Sequence, residues 1–217
     1  MRALALCLGL ILPTPGATCE VALLLAIDVS GSIDAGEYRI QSTGTANALQ
    51  DPAVAEALLA GQVALTLLHW SGAGQQAVVL PWTQMHSAAD ITRAASLIRD
   101  APRAFAGSDT AVGQAIDAAL AQFPLAPPCA RQIIDISGDG PENSGNTARA
   151  ARSRAQAAGV AINAIAIEDV GQSTAITRFY HNWVITTGGF VLTSRGLAAY
   201  PAAIRAKLLR ELEKPAS

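Results

Sequence analysis

The sequence predicts an α/β protein: a doubly wound, mostly parallel six-stranded sheet with one antiparallel edge strand and helices on both faces. Three observations carry this. Apolar runs of strand length alternate with helix-length stretches from residue 20 onward, the order that builds strand–helix–strand units. One pair of strand-like runs is joined by Ser71-Gly72-Ala73-Gly74 alone, a link that permits an antiparallel hairpin but not a parallel crossover. Two further runs end in a carboxylate among small polar residues, Asp28 and Asp139, and sheets of this kind bind ligands at the carboxyl ends of their strands.

Taken in order, Val21 to Ile27 is an apolar run that reads as a buried strand. Glu37 to Leu49 reads as a helix that Asp51-Pro52 stops. Gln62 to Trp70 and Ala77 to Trp82 form the hairpin. Ser87 caps a helix running to Asp100, which Pro102 ends. Phe105 to Thr110 is a loop, and Ala111 to Gln122 an alanine-rich helix. Pro124, Pro127 and Pro128 stiffen the linker to Gln132–Ile136, a β-branched strand buried on both faces by its composition. Thr147 to Ala158 is a helix closed by Gly159, followed by a strand from Val160 to Ile167. Thr174 to Trp183 is helical, and Phe190 to Thr193 a last short strand. Leu197 to Leu212 is a final helix, with Leu197, Ile204, Leu208 and Leu212 near helical spacing.

The chain has 217 residues, 51% of them hydrophobic and 15% charged. That is one globular domain with room for a substantial core, and not a disordered chain. A net charge of −2 with no basic block argues against nucleic acid as a partner. At the N-terminus, Met1-Arg2 gives a positive start, Ala3 to Leu12 an apolar core and Pro13 to Thr18 a small, turn-prone segment. Residues 1–18 thus read as a secretory signal segment with its cleavage site near Ala17, and 19–217 as the domain, periplasmic or secreted. The apolar run is too short to span a bilayer. Lipid anchoring through Cys19 is the weaker reading, because Gly16-Ala17-Thr18-Cys19 fits a lipoprotein signal poorly.

Chemistry concentrates where the first strand ends. In Asp28-Val29-Ser30-Gly31-Ser32 a carboxylate and two hydroxyls stand at alternate positions. Hard oxygen donors without sulfur or imidazole suit a hard cation such as Mg²⁺ rather than zinc. Two more pieces follow, Thr110 in Gly107-Ser108-Asp109-Thr110 and Asp139 in Ser137-Gly138-Asp139-Gly140. In this order the three resemble the metal-ion-dependent adhesion site (MIDAS) of von Willebrand factor A domains. The stretch Ile134 to Pro141 looks in addition like the exported bacterial family of the DUF1194 type.

The resemblance implies a von Willebrand A, Rossmann-like sheet in which the strands ending at Asp28 and Asp139 are central neighbours. It implies a Mg²⁺ or Mn²⁺ ion held by Ser30 and Ser32, with Thr110 contributing in one of the family's states and Asp28 and Asp139 acting directly or through water. An ion with so few anionic ligands attracts a carboxylate, so the implied partner is a protein presenting Asp or Glu. With those strands adjacent, Cys19 and Cys129 lie together at the far edge, either bridged or as two thiols. Asp109 and Glu142 either serve the ion or are solvated loop acids, and the second reading is preferred. Asp34 and Glu37 serve the start of the first helix.

Two other functions compete. A hydrolase or phosphatase could use Asp28 as nucleophile. Enzymes of that type carry a second aspartate where Ser30 stands, and Lys207 and Lys214 lie only in the last helix and tail. The Gly-x-Ser-x-Gly elbow of serine hydrolases is absent. His69, His86 and His181 read as surface or packing residues, and Trp70, Trp82 and Trp183 as packing at core edges. The third reading is a structural domain with a vestigial metal site. The preferred reading is a binding module and not an enzyme.

Overall fold

The computed structural model describes residues 19–107, 109–171 and 173–213. The expected signal segment lies outside them. Strands β1 (Cys19–Asp28), β2 (Ala64–Trp70), β3 (Gln76–Gln84), β4 (Cys129–Gly138), β5 (Ala161–Glu168) and β6 (Val191–Arg195) form one six-stranded sheet in the order β3-β2-β1-β4-β5-β6. Every pairing is parallel except β2 with β3. The strand order reverses between β1 and β4, which places a crevice at their carboxyl ends.

Alternation along β1 divides the core in two. Val21, Leu23, Leu25 and Ile27 face one apolar cluster, and Ala22, Leu24 and Ala26 the other. The first is covered by α1 (Ala35–Leu49), α2 (Pro52–Ala60), α3 (Ala88–Asp100) and α7 (Tyr200–Leu212). The second is covered by α4 (Val112–Leu120), α5 (Ala148–Ala157) and the segment formed by α6 (Ala175–Phe179) and a π-helical turn, Tyr180–Val184. Alanines on both sides of that second interface, such as Ala22, Ala26, Ala115 and Ala151, let the helices sit close to the sheet.

Most expected elements are present, with ends moved by a few residues. One helix was not expected: Pro52 does not merely stop α1 but opens α2 at its first turn, where its missing N–H costs nothing. Asp51 caps it, accepting from the N–H groups of Ala53 (3.1 Å) and Val54 (3.4 Å). Trp70 and Trp183 also depart from expectation. Trp70 is fully buried, whereas Trp183 is 42% exposed with the Arg149 guanidinium 5.6 Å above its ring.

At the amino ends of the two central strands Cys19 and Cys129 are register partners and form a disulfide, with Cα atoms 4.5 Å apart. The bridge therefore lies at the opposite end of the sheet from Asp28 and Asp139.

Candidate metal centre at the carboxyl end of the sheet

Asp28 is the last residue of β1 and is wholly buried. Its Oδ1 accepts the Ser30 backbone N–H at 2.8 Å, which turns the chain over the carboxylate. The Ser30 and Ser32 hydroxyls then lie 3.2 Å apart. Ser32 donates to Asp139 Oδ1 at 2.8 Å, closing a contact between positions 107 residues apart in the sequence. Asp28, Ser30, Ser32 and Asp139 thus form one hydrogen-bonded chain across the crevice between β1 and β4.

Thr110 reaches this end of the sheet by a different route. Its N–H donates to Asn143 Oδ1 at 2.9 Å, and its carbonyl accepts the Asn143 N–H at 3.0 Å. The next residue, Ala111, donates to the carbonyl of Ser71 just past β2. Thr110 is therefore clamped between the loops after β2 and β4, but its hydroxyl makes no hydrogen bond to the other four residues among the described residues.

Supporting groups surround the chain. Arg103 donates from Nε and Nη2 to the Val29 carbonyl (3.1 and 2.9 Å) and from Nη2 to that of Ser30 (2.6 Å), pinning the turn from outside. Asp34 and Glu37 form a reciprocal cap at the start of α1, with both bonds at 2.8 Å, as expected. Glu142 is not a free loop acid: its Oε2 accepts the Ala148 N–H at 2.6 Å and caps α5. Asp109 is exposed, and its carbonyl accepts from the Ser71 hydroxyl. No histidine enters the site; His69 is buried in β2 and the other two are exposed.

The electrostatics are those of an uncompensated negative site. Burial, then the Asp139 charge, push the Asp28 carboxyl up to about 7, against the bonds from Ser30 that favour its ionised form. Asp139 is raised as well, by burial first and then by Glu37 and Asp169, despite the Ser32 bond. Asp28 Oδ2 has no hydrogen-bond partner among the described residues although it is buried. A buried carboxylate with a free oxygen beside a second carboxylate is the arrangement a bound cation relieves. Among the described residues, no three His, Cys, Asp or Glu side chains are grouped to hold a metal. A cation here would take its remaining oxygens from hydroxyls and water, which fits a hard ion.

Sequence reasoning missed Asn143, Arg103 and Tyr180. Asn143 follows Asp139 closely but carries no motif. Arg103 and Tyr180 reach the site only through the fold. Burial, then Asp28 and Asp139, hold the Tyr180 phenol well above its usual range, so it is a neutral donor.

The profile of the family described as "protein of unknown function (DUF1194)" matches residues 18–216. The chain belongs to the DUF1194 family. No curated protein matches the sequence. Solved structures place this DUF1194 chain among von Willebrand A-type folds. It is similar to a von Willebrand factor type A protein from Catenulispora acidiphila, with 18% identity and a TM-score of 0.66 over 91% of this chain and 44% of that one. It is similar to proximal thread matrix protein 1 of the mussel byssus, solved with a zinc-occupied MIDAS motif, with 17% identity and a TM-score of 0.64 over 89% and 46%. A third is the pilus adhesin SpaC of Lactobacillus rhamnosus GG, with 14% identity and a TM-score of 0.65 over 89% and 31%. The chain thus spans less than half the length of each of these three.

Proposed function

We propose that this DUF1194 protein is a divalent-cation-dependent protein-binding module and not an enzyme. The observation that carries the reading is the hydrogen-bonded chain from Asp28 through Ser30 and Ser32 to Asp139, in which the buried Asp28 Oδ2 has no partner. Ser30, Ser32 and Thr110 would supply neutral hydroxyl ligands, and Asp28 and Asp139 would ligate directly or through water. An all-oxygen donor set favours Mg²⁺ or Mn²⁺. The ion, when bound, supplies a Lewis-acidic position for one outside carboxylate. The chain's own residues fix the donors: Arg103 holds the turn after β1, and Asn143 holds Thr110. The natural occupant of that position is an Asp or Glu of a protein partner.

The occupied MIDAS of the mussel protein and the likeness to SpaC, a pilus adhesin, support the reading at the level of fold. The N-terminal signal pattern supports export to the periplasm or beyond. No helix among the described residues is long and apolar enough to cross a membrane. Calorimetric titration of Mg²⁺ and Mn²⁺ into wild type and Asp28→Ala tests the proposal. Uptake by the wild type alone is expected, with capture of a carboxylate-bearing partner lost in excess chelator. Capture that persists in chelator, or steady turnover of a phosphatase substrate, would overturn it.

A further inference from the structure

Three buried polar atoms in one neighbourhood lack a hydrogen-bond partner among the described residues: Asp28 Oδ2, the Tyr180 hydroxyl and Trp70 Nε1. All three side chains are wholly buried. They meet around Gly138, the last residue of β4. A Cβ there would collide with the Tyr180 hydroxyl, and would lie 3.0 Å from Asp28 Oδ2 and 3.2 Å from Trp70 Cζ2, next to the carbon that bears the indole nitrogen. Phenol and indole are donors and the carboxylate oxygen is an acceptor, so the three are chemically complementary. Left unserved in the interior, each such atom carries the full cost of its lost hydration. Tyr180 is delivered by the π-helical turn at the end of α6, a local widening that often accompanies functional sites.

We infer that Tyr180 is a positioning residue of the metal centre, its hydroxyl donating to the free Asp28 Oδ2 across one buried water, with Gly138 leaving the room for that contact. This rests on the metal reading above. Ser30 fixes one carboxylate oxygen and Tyr180, through the water, takes one lone pair of the other, leaving its second lone pair for the ion or an ion-bound water, so Asp28 keeps one orientation before and after an ion arrives. Groups of this kind behind a ligand change metal affinity by about 10–100-fold when removed.

Tyr180→Phe removes the donor and keeps the ring, which packs edge-on against Phe179 with centroids 5.5 Å apart. Mn²⁺ affinity, read by electron paramagnetic resonance, is expected to fall about tenfold or more while the metal-free melting temperature stays close to wild type. Unchanged affinity overturns the inference, including the case in which only melting changes. A wild type that takes up no Mn²⁺ overturns the metal reading itself and this inference with it. Fluorine NMR of wild type carrying 3-fluorotyrosine at its three tyrosines needs no variant at the site. With Tyr38→Phe and Tyr200→Phe for assignment, the Tyr180 resonance is expected to shift on adding Mg²⁺ while the other two hold. A Tyr180 resonance that stays in place overturns the inference.

Discussion

Ser32 is the smallest test of the site. It is exposed, and its hydroxyl donates to Asp139 with the Ser30 hydroxyl 3.2 Å away. Ser32→Ala should cost under about 1 kcal/mol of stability yet weaken Mn²⁺ binding about tenfold or more, read by melting and by calorimetry on one sample. Gly138 is the opposite case, because no side chain fits beneath it. Gly138→Ala should lose both stability, by about 1–3 kcal/mol for overpacking, and metal affinity. His69 offers a pH test apart from the metal ligands. It packs edge-on to Tyr38 with centroids 5.4 Å apart, and burial pushes its imidazole down to about 4. A lowered histidine is neutral in both states above its unfolded value near 6.5, so its full contribution is present there. It is lost as pH falls from about 6.5 through 4, because the unfolded chain takes the proton first. Wild type should therefore lose about 3 kcal/mol relative to His69→Phe between pH 7 and pH 4, measured by denaturant unfolding. Equal slopes for the two proteins would refute this.

Helix α7 shows what an element can hide. In the sequence Lys207 is simply one of two lysines, placed on the last helix. In the fold it is wholly buried, with Nζ 2.6 Å from both Asp135 of β4 and Glu211 one turn on. Asn163 of β5 donates to the same Glu211 oxygen at 2.8 Å. Burial, then the Asp135 charge, raise Glu211 to about 8 despite the lysine. This cluster fastens α7 to the middle of the sheet. Lys207→Met should destabilise by about 3–5 kcal/mol, because it strands two buried acids. Adding Asp135→Asn and Glu211→Gln should recover part of the loss. A single variant as stable as wild type would refute the role. The same helix meets α1 where Gly44 faces Pro201, and a Cβ at Gly44 would sit 3.0 Å from that ring.

At the scale of the molecule, the sheet holds its chemistry and its covalent tie at opposite ends. β1 runs ten residues from Cys19 to Asp28, roughly 30 Å at the rise of a strand. The disulfide closes a loop of 110 residues. Replacing both cysteines by serine should cost about 2–5 kcal/mol and leave Mn²⁺ affinity as in wild type. A matched loss of affinity would mean that the two ends are coupled through the central strands.

Much of this was legible in the sequence for a physical reason. Alternation of strand and helix patterns, and a hairpin too short for a crossover, determine an α/β sheet with one reversed edge. The chemistry of the residues likewise marks Asp28, Ser30 and Ser32 as candidate oxygen donors, to which the resemblance of the motifs adds Thr110 and Asp139. What the sequence could not decide was adjacency. The pairing of β1 with β4 joined Ser32 to Asp139 and bridged Cys19 to Cys129, the pairing of β1 with β2 set Trp70 beside Asp28, and the π-helical turn brought Tyr180 to the same place. The helix opened by Pro52 and the burial of Lys207 depended in the same way on which surfaces the folded chain brings together. Local pattern records how each residue meets its neighbours in the chain; burial and unpaired atoms exist only after distant strands have met.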